Sequence, residues 1–364
     1  MNTRLGFRLH KIFVFFCIML GVVNIQFCIV QSDTDAMADF LTKKNKYIHP
    51  EGTLEKISFH SATDANSEET ILRNGFLLKR NNAKAIVFIL NGFMCDKFDS
   101  AFLRAMLFPN FHVVTFDFRA HGENCGGYQC CTFGRDEAHD VVAAVNYIKS
   151  RPDLKDLPRI AYGFSMGGVA AIEAQAANPD LFHLMILDSA YDRSKNVIKQ
   201  GIENMQFSFF GYSFGLPGRS FLKKYAFHPY IQTFLKTLLK TVANMDATAT
   251  NTYIYPVNPV DSIKKITVPC FFIHCINDEK VSIESATNLF NNAAGFKLLW
   301  ETAGRRHFDS FFYNPEKYYY KVLKFIYMIL DKTYIYKRQQ KIITDNYLKK
   351  TVVASLFKRG LLKL

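Results

Sequence analysis

Arg159-Ile160-Ala161-Tyr162-Gly163-Phe164-Ser165-Met166-Gly167-Gly168-Val169-Ala170-Ala171-Ile172-Glu173-Ala174 is the stretch on which the fold turns. Arg159 to Tyr162 is strand-like and the small residues after Gly167 follow a helical pattern, so the G-x-S-x-G pentapeptide falls between strand and helix. A serine in such a turn is held in a strained conformation, and glycine flanks it because a β-carbon there would collide with neighbouring backbone. The Ser165 hydroxyl then stands above the sheet, at a helix N-terminus whose free N–H groups can receive negative charge. A tight turn with an incidental serine is the plainer alternative, and partner residues must decide between the two.

A nucleophilic serine needs a base and a group that orients the base. In an open α/β sheet the reactive groups collect beyond the carboxyl ends of the strands. Val268-Pro269-Cys270-Phe271-Phe272-Ile273-His274 has the apolar character of a buried parallel strand and empties into Cys275-Ile276-Asn277-Asp278-Glu279, which offers Asp278 as the acid. A helical pattern from Ser282 to Asn291 and a strand-like run from Phe296 to Trp300 follow. The loop Thr302-Ala303-Gly304-Arg305-Arg306-His307 then offers His307 as the base. Ser165, Asp278, His307 is the chain order of a nucleophile-elbow hydrolase. Asp188, ending the run Leu184 to Leu187, is the alternative acid.

From about Ile57 to Leu330 the chain resembles the α/β-hydrolase superfamily, in its serine-aminopeptidase-like branch of esterases, acylglycerol lipases, acyl-transferring enzymes and some peptidases. Beyond the three residues above, the resemblance rests on Asn91-Gly92-Phe93 after the run Ala85 to Leu90, and on Phe116-Asp117-Phe118-Arg119-Ala120-His121-Gly122 after Phe111 to Thr115. It also covers Thr132-Phe133-Gly134-Arg135-Asp136-Glu137-Ala138-His139-Asp140-Val141, which opens a helix. It implies a mostly parallel sheet flanked by helices with an inserted helical cap, and an oxyanion hole built from the backbone N–H groups of Phe93 and Met166. Asn91 departs from the pattern, standing where relatives commonly carry histidine.

Other polar residues at the strand ends have structural readings. His274 and His121 bond neighbouring loops, Asp117 and Arg119 pair or brace their turn, and Glu137 and Asp140 gain from the helix dipole. The chain lacks a G-x-x-x-x-G-K loop, a G-x-G-x-x-G fingerprint and an H-E-x-x-H motif, so neither a nucleotide, a metal nor any other cofactor is expected.

With 364 residues and 49% hydrophobic content the chain can bury one large core. Core segments are expected at 57–190 and 258–333, with a cap inserted at 191–257. Within the cap, the aromatic and glycine-rich stretch from Phe207 to Gly218 reads as an apolar loop. Ile231, Phe234, Leu235, Leu238, Leu239 and Val242 give a helix with one apolar face. Aromatic residues over a catalytic serine suit a small acyl or ester substrate with an apolar group.

Residues 1–32 place Arg4, Arg8, His10 and Lys11 ahead of the apolar run Ile12 to Val23, the pattern of a secretory signal peptide or an uncleaved membrane anchor. Either puts the catalytic domain outside the cytoplasm, exported or membrane-anchored. Residues 33–56 read as a linker. Of eight cysteines, Cys17 and Cys28 fall in the N-terminal segment. Cys95, Cys125, Cys130 and Cys131 lie in loops at the expected site, where an oxidising compartment would allow pairing.

The net charge of +13 belongs largely to residues 334–364. Lys337, Arg338, Lys341, Lys349, Lys350, Lys358, Arg359 and Lys363 stand there against Asp345 alone, interleaved with Leu348, Val352, Val353, Leu356, Phe357, Leu361 and Leu362. This is the pattern of a basic amphipathic helix, lying on an anionic membrane surface or docked on the domain. No nucleic-acid motif accompanies the charge, so nucleic acid is not an expected partner. The expected activity is serine-dependent cleavage of an ester or thioester. A peptidase acting on short peptides is the second reading, and an idle hydrolase fold serving as a membrane-associated binding module is the third.

Overall fold

The computed structural model describes residues 52–63, 68–100, 103–104, 107, 110–124, 130–204, 206–209, 212–243, 252–304, 306–307 and 309–330. The expectations for residues 1–32 and 334–364, and for most of 33–56, lie outside the described residues. No described helix is long and apolar enough to cross a membrane.

The chain runs through β1 (Thr53–Ala62), β2 (Thr70–Lys79), β3 (Ala85–Leu90), β4 (Phe111–Phe116), α1 (Glu137–Lys149), β5 (Arg159–Phe164), α2 (Met166–Ala177) and β6 (Leu184–Asp188). An insertion follows, made of α3 (Ser194–Asn204), β7 (Gln206–Phe209), β8 (Tyr212–Gly215), α4 (Arg219–Lys224) and α5 (Pro229–Ala243). The core resumes with α6 (Pro259–Ser262), β9 (Cys270–Cys275), α7 (Ile283–Asn292), β10 (Lys297–Thr302), α8 (Ser310–Tyr313) and α9 (Pro315–Leu330).

Eight strands form one sheet in the order β1-β2-β4-β3-β5-β6-β9-β10. The six strands from β4 to β10 are parallel, and β1 and β2 add an antiparallel edge. Every residue of β3, β4, β5, β6 and β9 is buried, which explains why these segments are apolar almost throughout. Along β3 the side chains alternate between two cores. Ile86, Phe88 and Leu90 join α1 and α2 on one face, whereas Ala85, Val87 and Ile89 join Tyr318, Val322 and Ile326 of α9 on the other. Burying a large apolar side chain of this kind contributes about 1.5–3 kcal/mol.

The structure departs from the sequence expectations in two places. β1 begins at Thr53, inside the segment read as a linker, because it pairs along its whole length with β2. The stretch read as an aromatic loop instead holds the antiparallel pair β7–β8, in the register Gln206↔Gly215 to Phe209↔Tyr212. Aromatic residues alternate with serine in both arms, a period-2 pattern that the nearby glycines obscured. The apolar face of α5 turns into a small cluster of the insertion's own: Ile231 and Leu235 pack with Ile202, Leu216 and Leu222, and Phe234 stays exposed.

Candidate active site

β5 ends by turning sharply into α2, and Ser165 sits at the junction with φ 47° and ψ −116°. That left-handed strain, of order 1–3 kcal/mol for a serine, is held by the surroundings. The Ser165 N–H donates to the Asp188 carbonyl at 2.9 Å, and the Val169 N–H donates back to the Ser165 carbonyl at 3.1 Å. The flanking glycines are required by close approach. A β-carbon on Gly163 would come within 2.5 Å of Gly168 Cα, and one on Gly167 would land on the carbonyl oxygens of Leu90 and Asn91.

The loop after β3 arrives beside the serine. A β-carbon built on Gly92 would stand 3.6 Å from that of Ser165. Among the described residues no acceptor takes the backbone N–H of Phe93 or of Met166, so two donors remain free around the serine turn. Asn91 is buried, and its side-chain amide donates to the Asp96 carbonyl at 2.8 Å. It therefore braces the loop from within, which accounts for the departure at this position. Asp96 and Asp99 continue the brace through bonds to the Phe98 and Asp96 N–H groups at 2.7 Å each.

The loops after β9 and β10 bring Asp278 and His307 together. Asp278 Oδ2 lies 2.7 Å from His307 Nδ1, and Asp278 Oδ1 accepts the N–H groups of Lys280 and Val281 at 2.9 Å each. Burial pushes the Asp278 carboxyl up, but the charge and hydrogen bond of His307 outweigh it and hold the group below the usual carboxylate range. The ionised carboxylate can only accept, so Nδ1 of His307 carries the hydrogen of this bond. His274, beneath, bonds the Val281 carbonyl through Nε2 at 2.9 Å, and burial lowers its proton affinity. It positions the acid loop, as expected of a structural histidine. The Ser165 hydroxyl has no hydrogen bond to another described residue.

Asp188 is committed elsewhere. Its carboxylate accepts the Tyr318 hydroxyl at 2.7 Å and the Ser189 hydroxyl at 2.9 Å, and Tyr318 in turn receives the Tyr162 hydroxyl at 2.7 Å. Burial raises Asp188 to about 6 against these bonds.

The remaining polar residues brace the scaffold. Asp117 accepts Lys97 Nζ and the Lys97 N–H, at 2.5 and 2.8 Å. Asp140 binds Ser61, Arg73 and Arg119, all buried, joining β1, β2 and the loop after β4 to α1. Glu137 holds the Thr132 and Gly134 N–H groups at 2.8 and 2.7 Å, fixing the turn at Phe133. That turn carries Phe133 into a line of rings from Phe93 to Tyr191, with centroids 5.4 Å apart at each step. Cys95, Cys130 and Cys131 are free thiols, and Cys125 lies outside the described residues.

Sequence reasoning missed the device that ties the insertion to the core. Asp192 is fully buried and accepts Ser285 and Asn288 of α7, at 3.0 Å each, together with Asn196 of α3. Ser194 binds the carbonyl of Tyr255 at 2.9 Å, so the chain entering the insertion is pinned to the chain leaving it. No local pattern marks Asp192, because its partners on α7 lie more than ninety residues away.

The family model described as "Serine aminopeptidase, S33" matches residues 81–208. That stretch includes Gly92, Phe93 and Ser165 and ends before Asp278 and His307. The esterase Pf2001 of Pyrococcus furiosus is similar at 20% identity over 76% of this chain and 92% of its own, with a TM-score of 0.54. The peroxisomal alpha-beta-hydrolase Lpx1 of Saccharomyces cerevisiae is similar at 13% identity over 86% of this chain and 97% of its own, with a TM-score of 0.53. At these identities the likeness is one of fold. No curated protein sequence matches the chain. Sheet order, serine turn and these likenesses agree on an α/β-hydrolase fold, within which residues 81–208 match the serine-aminopeptidase family model.

Proposed function

We propose that the protein is a serine hydrolase that cleaves a carboxylic ester or thioester carrying an apolar acyl group. The observation that carries this reading is the Asp278–His307 hydrogen bond, at 2.7 Å, on the edge of the sheet where β5 turns out Ser165. Ser165 Oγ attacks the carbonyl carbon as His307 Nε2 takes the hydroxyl proton, and Asp278 stabilises the imidazolium that forms. Negative charge gathers on the former carbonyl oxygen, where the unpaired N–H groups of Phe93 and Met166 receive it. Collapse expels the alcohol or thiol, which leaves with the His307 proton, and Ser165 holds the acyl group as an ester. Water, deprotonated by His307, attacks that ester and regenerates the serine. The half-buried rings of Phe93 and Phe133, packed on each other in the loops near the serine turn, favour an apolar acyl chain.

The test is labelling by a fluorophosphonate probe, followed by turnover of p-nitrophenyl esters of increasing chain length. Intact protein is expected to label and to hydrolyse, and Ser165→Ala to do neither. Folded protein that does not label would sink the reading. A peptidase acting on short peptides is favoured by one observation, the aminopeptidase description of the family matched at residues 81–208. Cleavage of aminoacyl amides by protein that labels yet leaves the esters intact would select it. We further propose export or membrane anchoring, from the basic residues that precede the apolar run in residues 1–32. An intact Met1 on soluble cytosolic protein from the native host would end that proposal.

A further inference from the structure

We infer that the insertion carries an anion site for a phosphate-bearing ligand, in a groove of about 680 Å³ between α3 and α4. Four lysines line it: Lys195 and Lys199 from α3, Lys223 and Lys224 from α4. The one carboxylate among its described lining residues is Glu203, which is already engaged by Lys223 and by Arg219. Lys195 and Lys199 have no partner among the described residues and stand four apart on α3, where like charges repel across one helical turn. Lys224 adds a third cation without a carboxylate, its ammonium 5.3 Å from the Tyr225 ring. A concavity lined by one sign of charge concentrates field and draws in ions of the other sign. The compact, strongly hydrated ammonium groups of lysine suit phosphate oxygens as point charges.

The same groove is tied to the acid loop of the candidate active site. Gln200 and Asn204, which also line it, both donate to the Glu279 carbonyl, at 2.8 and 2.7 Å. Glu279 follows Asp278 directly, so an anion in the groove sits one residue contact from the loop that holds His307. This inference concerns binding and stands whether or not the ester-cleaving reading is right.

Phosphate of this kind comes from two sources, a soluble phosphorylated molecule or a phospholipid headgroup, and the experiment separates them. The full chain is titrated with inorganic pyrophosphate by calorimetry, and its co-sedimentation is measured with phosphatidylcholine vesicles with and without phosphatidate. Lys195→Ala/Lys199→Ala is compared with Lys84→Ala/Lys155→Ala, which removes equal charge outside the insertion. The groove pair is expected to lose about tenfold or more in affinity and the control pair to lose little. Glu203→Gln, which frees Lys223, is expected to bind more tightly than the intact chain. Vesicle capture that needs phosphatidate and the groove lysines, and that pyrophosphate reverses, identifies a headgroup; lysine-dependent pyrophosphate binding alone identifies a soluble phosphate. Saturable binding of neither probe, equal loss in both double variants, or affinity unchanged in the groove pair would overturn the site.

Discussion

Asp278 Oδ2 stands 2.7 Å from His307 Nδ1, while Asp188, at the end of the neighbouring parallel strand, faces Tyr318 and Ser189 instead. Two carboxylates at adjacent strand ends are thus given different work by their partners. Asp278 is kept ionised by the imidazole it orients, and Asp188 is held in a hydroxyl network that tolerates a proton.

Exchange of each carboxylate for its amide separates the two roles. Asp278→Asn is expected to lower kcat by about 10⁴-fold, because an amide donor at Nδ1 would favour the wrong imidazole tautomer. Asp188→Asn is expected to cost less than about tenfold, since it changes no bond to His307. Steady-state ester hydrolysis by folded variants checks this, and a larger loss at Asp188 would reassign the acid.

Asp188 also makes a prediction about stability against pH. Its folded value of about 6 lies above the ordinary carboxylate value, so the native state holds the proton more tightly than the unfolded chain does. The stabilisation from this group is complete below about pH 4 and is lost as pH rises through about 6, a change on the order of 3 kcal/mol. Denaturant melts at several pH values should show a smaller decline between pH 4 and 6 in Asp188→Asn than in the intact chain. Parallel profiles would refute the assignment.

The buried cluster at Asp140 is expected to be the most sensitive polar position in the scaffold. Asp140→Ala would leave the fully buried Arg73, and Arg119 beside it, without their carboxylate. Removing one partner of such a group costs about 3–5 kcal/mol. A fall in the urea midpoint of the matching size, with the denaturant slope unchanged, is the expected result.

Gly167→Ala tests the packing around the serine turn. The added methyl would meet the Leu90 and Asn91 carbonyls, which belong to the strand and loop that place Gly92. A loss of about 1–3 kcal/mol is expected from the overpacking, together with lost probe labelling of Ser165 in the protein that remains folded. Wild-type stability and labelling in this variant would show that the contact is easily relieved.

Much of the core was written locally. β3 occupies Ala85–Leu90, the run read as a strand, and β4, β5, β6, β9 and β10 fall within a few residues of their expected positions. The apolar runs are bounded by turns, and in all of them but the edge strand β10 burial on both faces leaves little choice of residue type. The insertion was less legible. Phe207 and Phe214 are register partners in β7–β8, yet the glycines around them made the segment read as a loop. The anchoring of Asp192, the bracing by Asn91 and the engagement of Asp188 by Tyr318 left no mark in the local pattern.

What the amino-acid sequence determined by itself was the turn: a serine between glycines, leaving a buried strand and entering a small-residue helix, has one low-cost arrangement because steric exclusion acts between near neighbours. What only the tertiary structure decided was partnership. Asp278 takes His307 and Asp188 takes Tyr318, 130 residues away in the chain, because strand order and helix packing bring distant groups within hydrogen-bond reach. Hydrogen bonding acts over a few ångströms of space, and distance along the chain does not encode it.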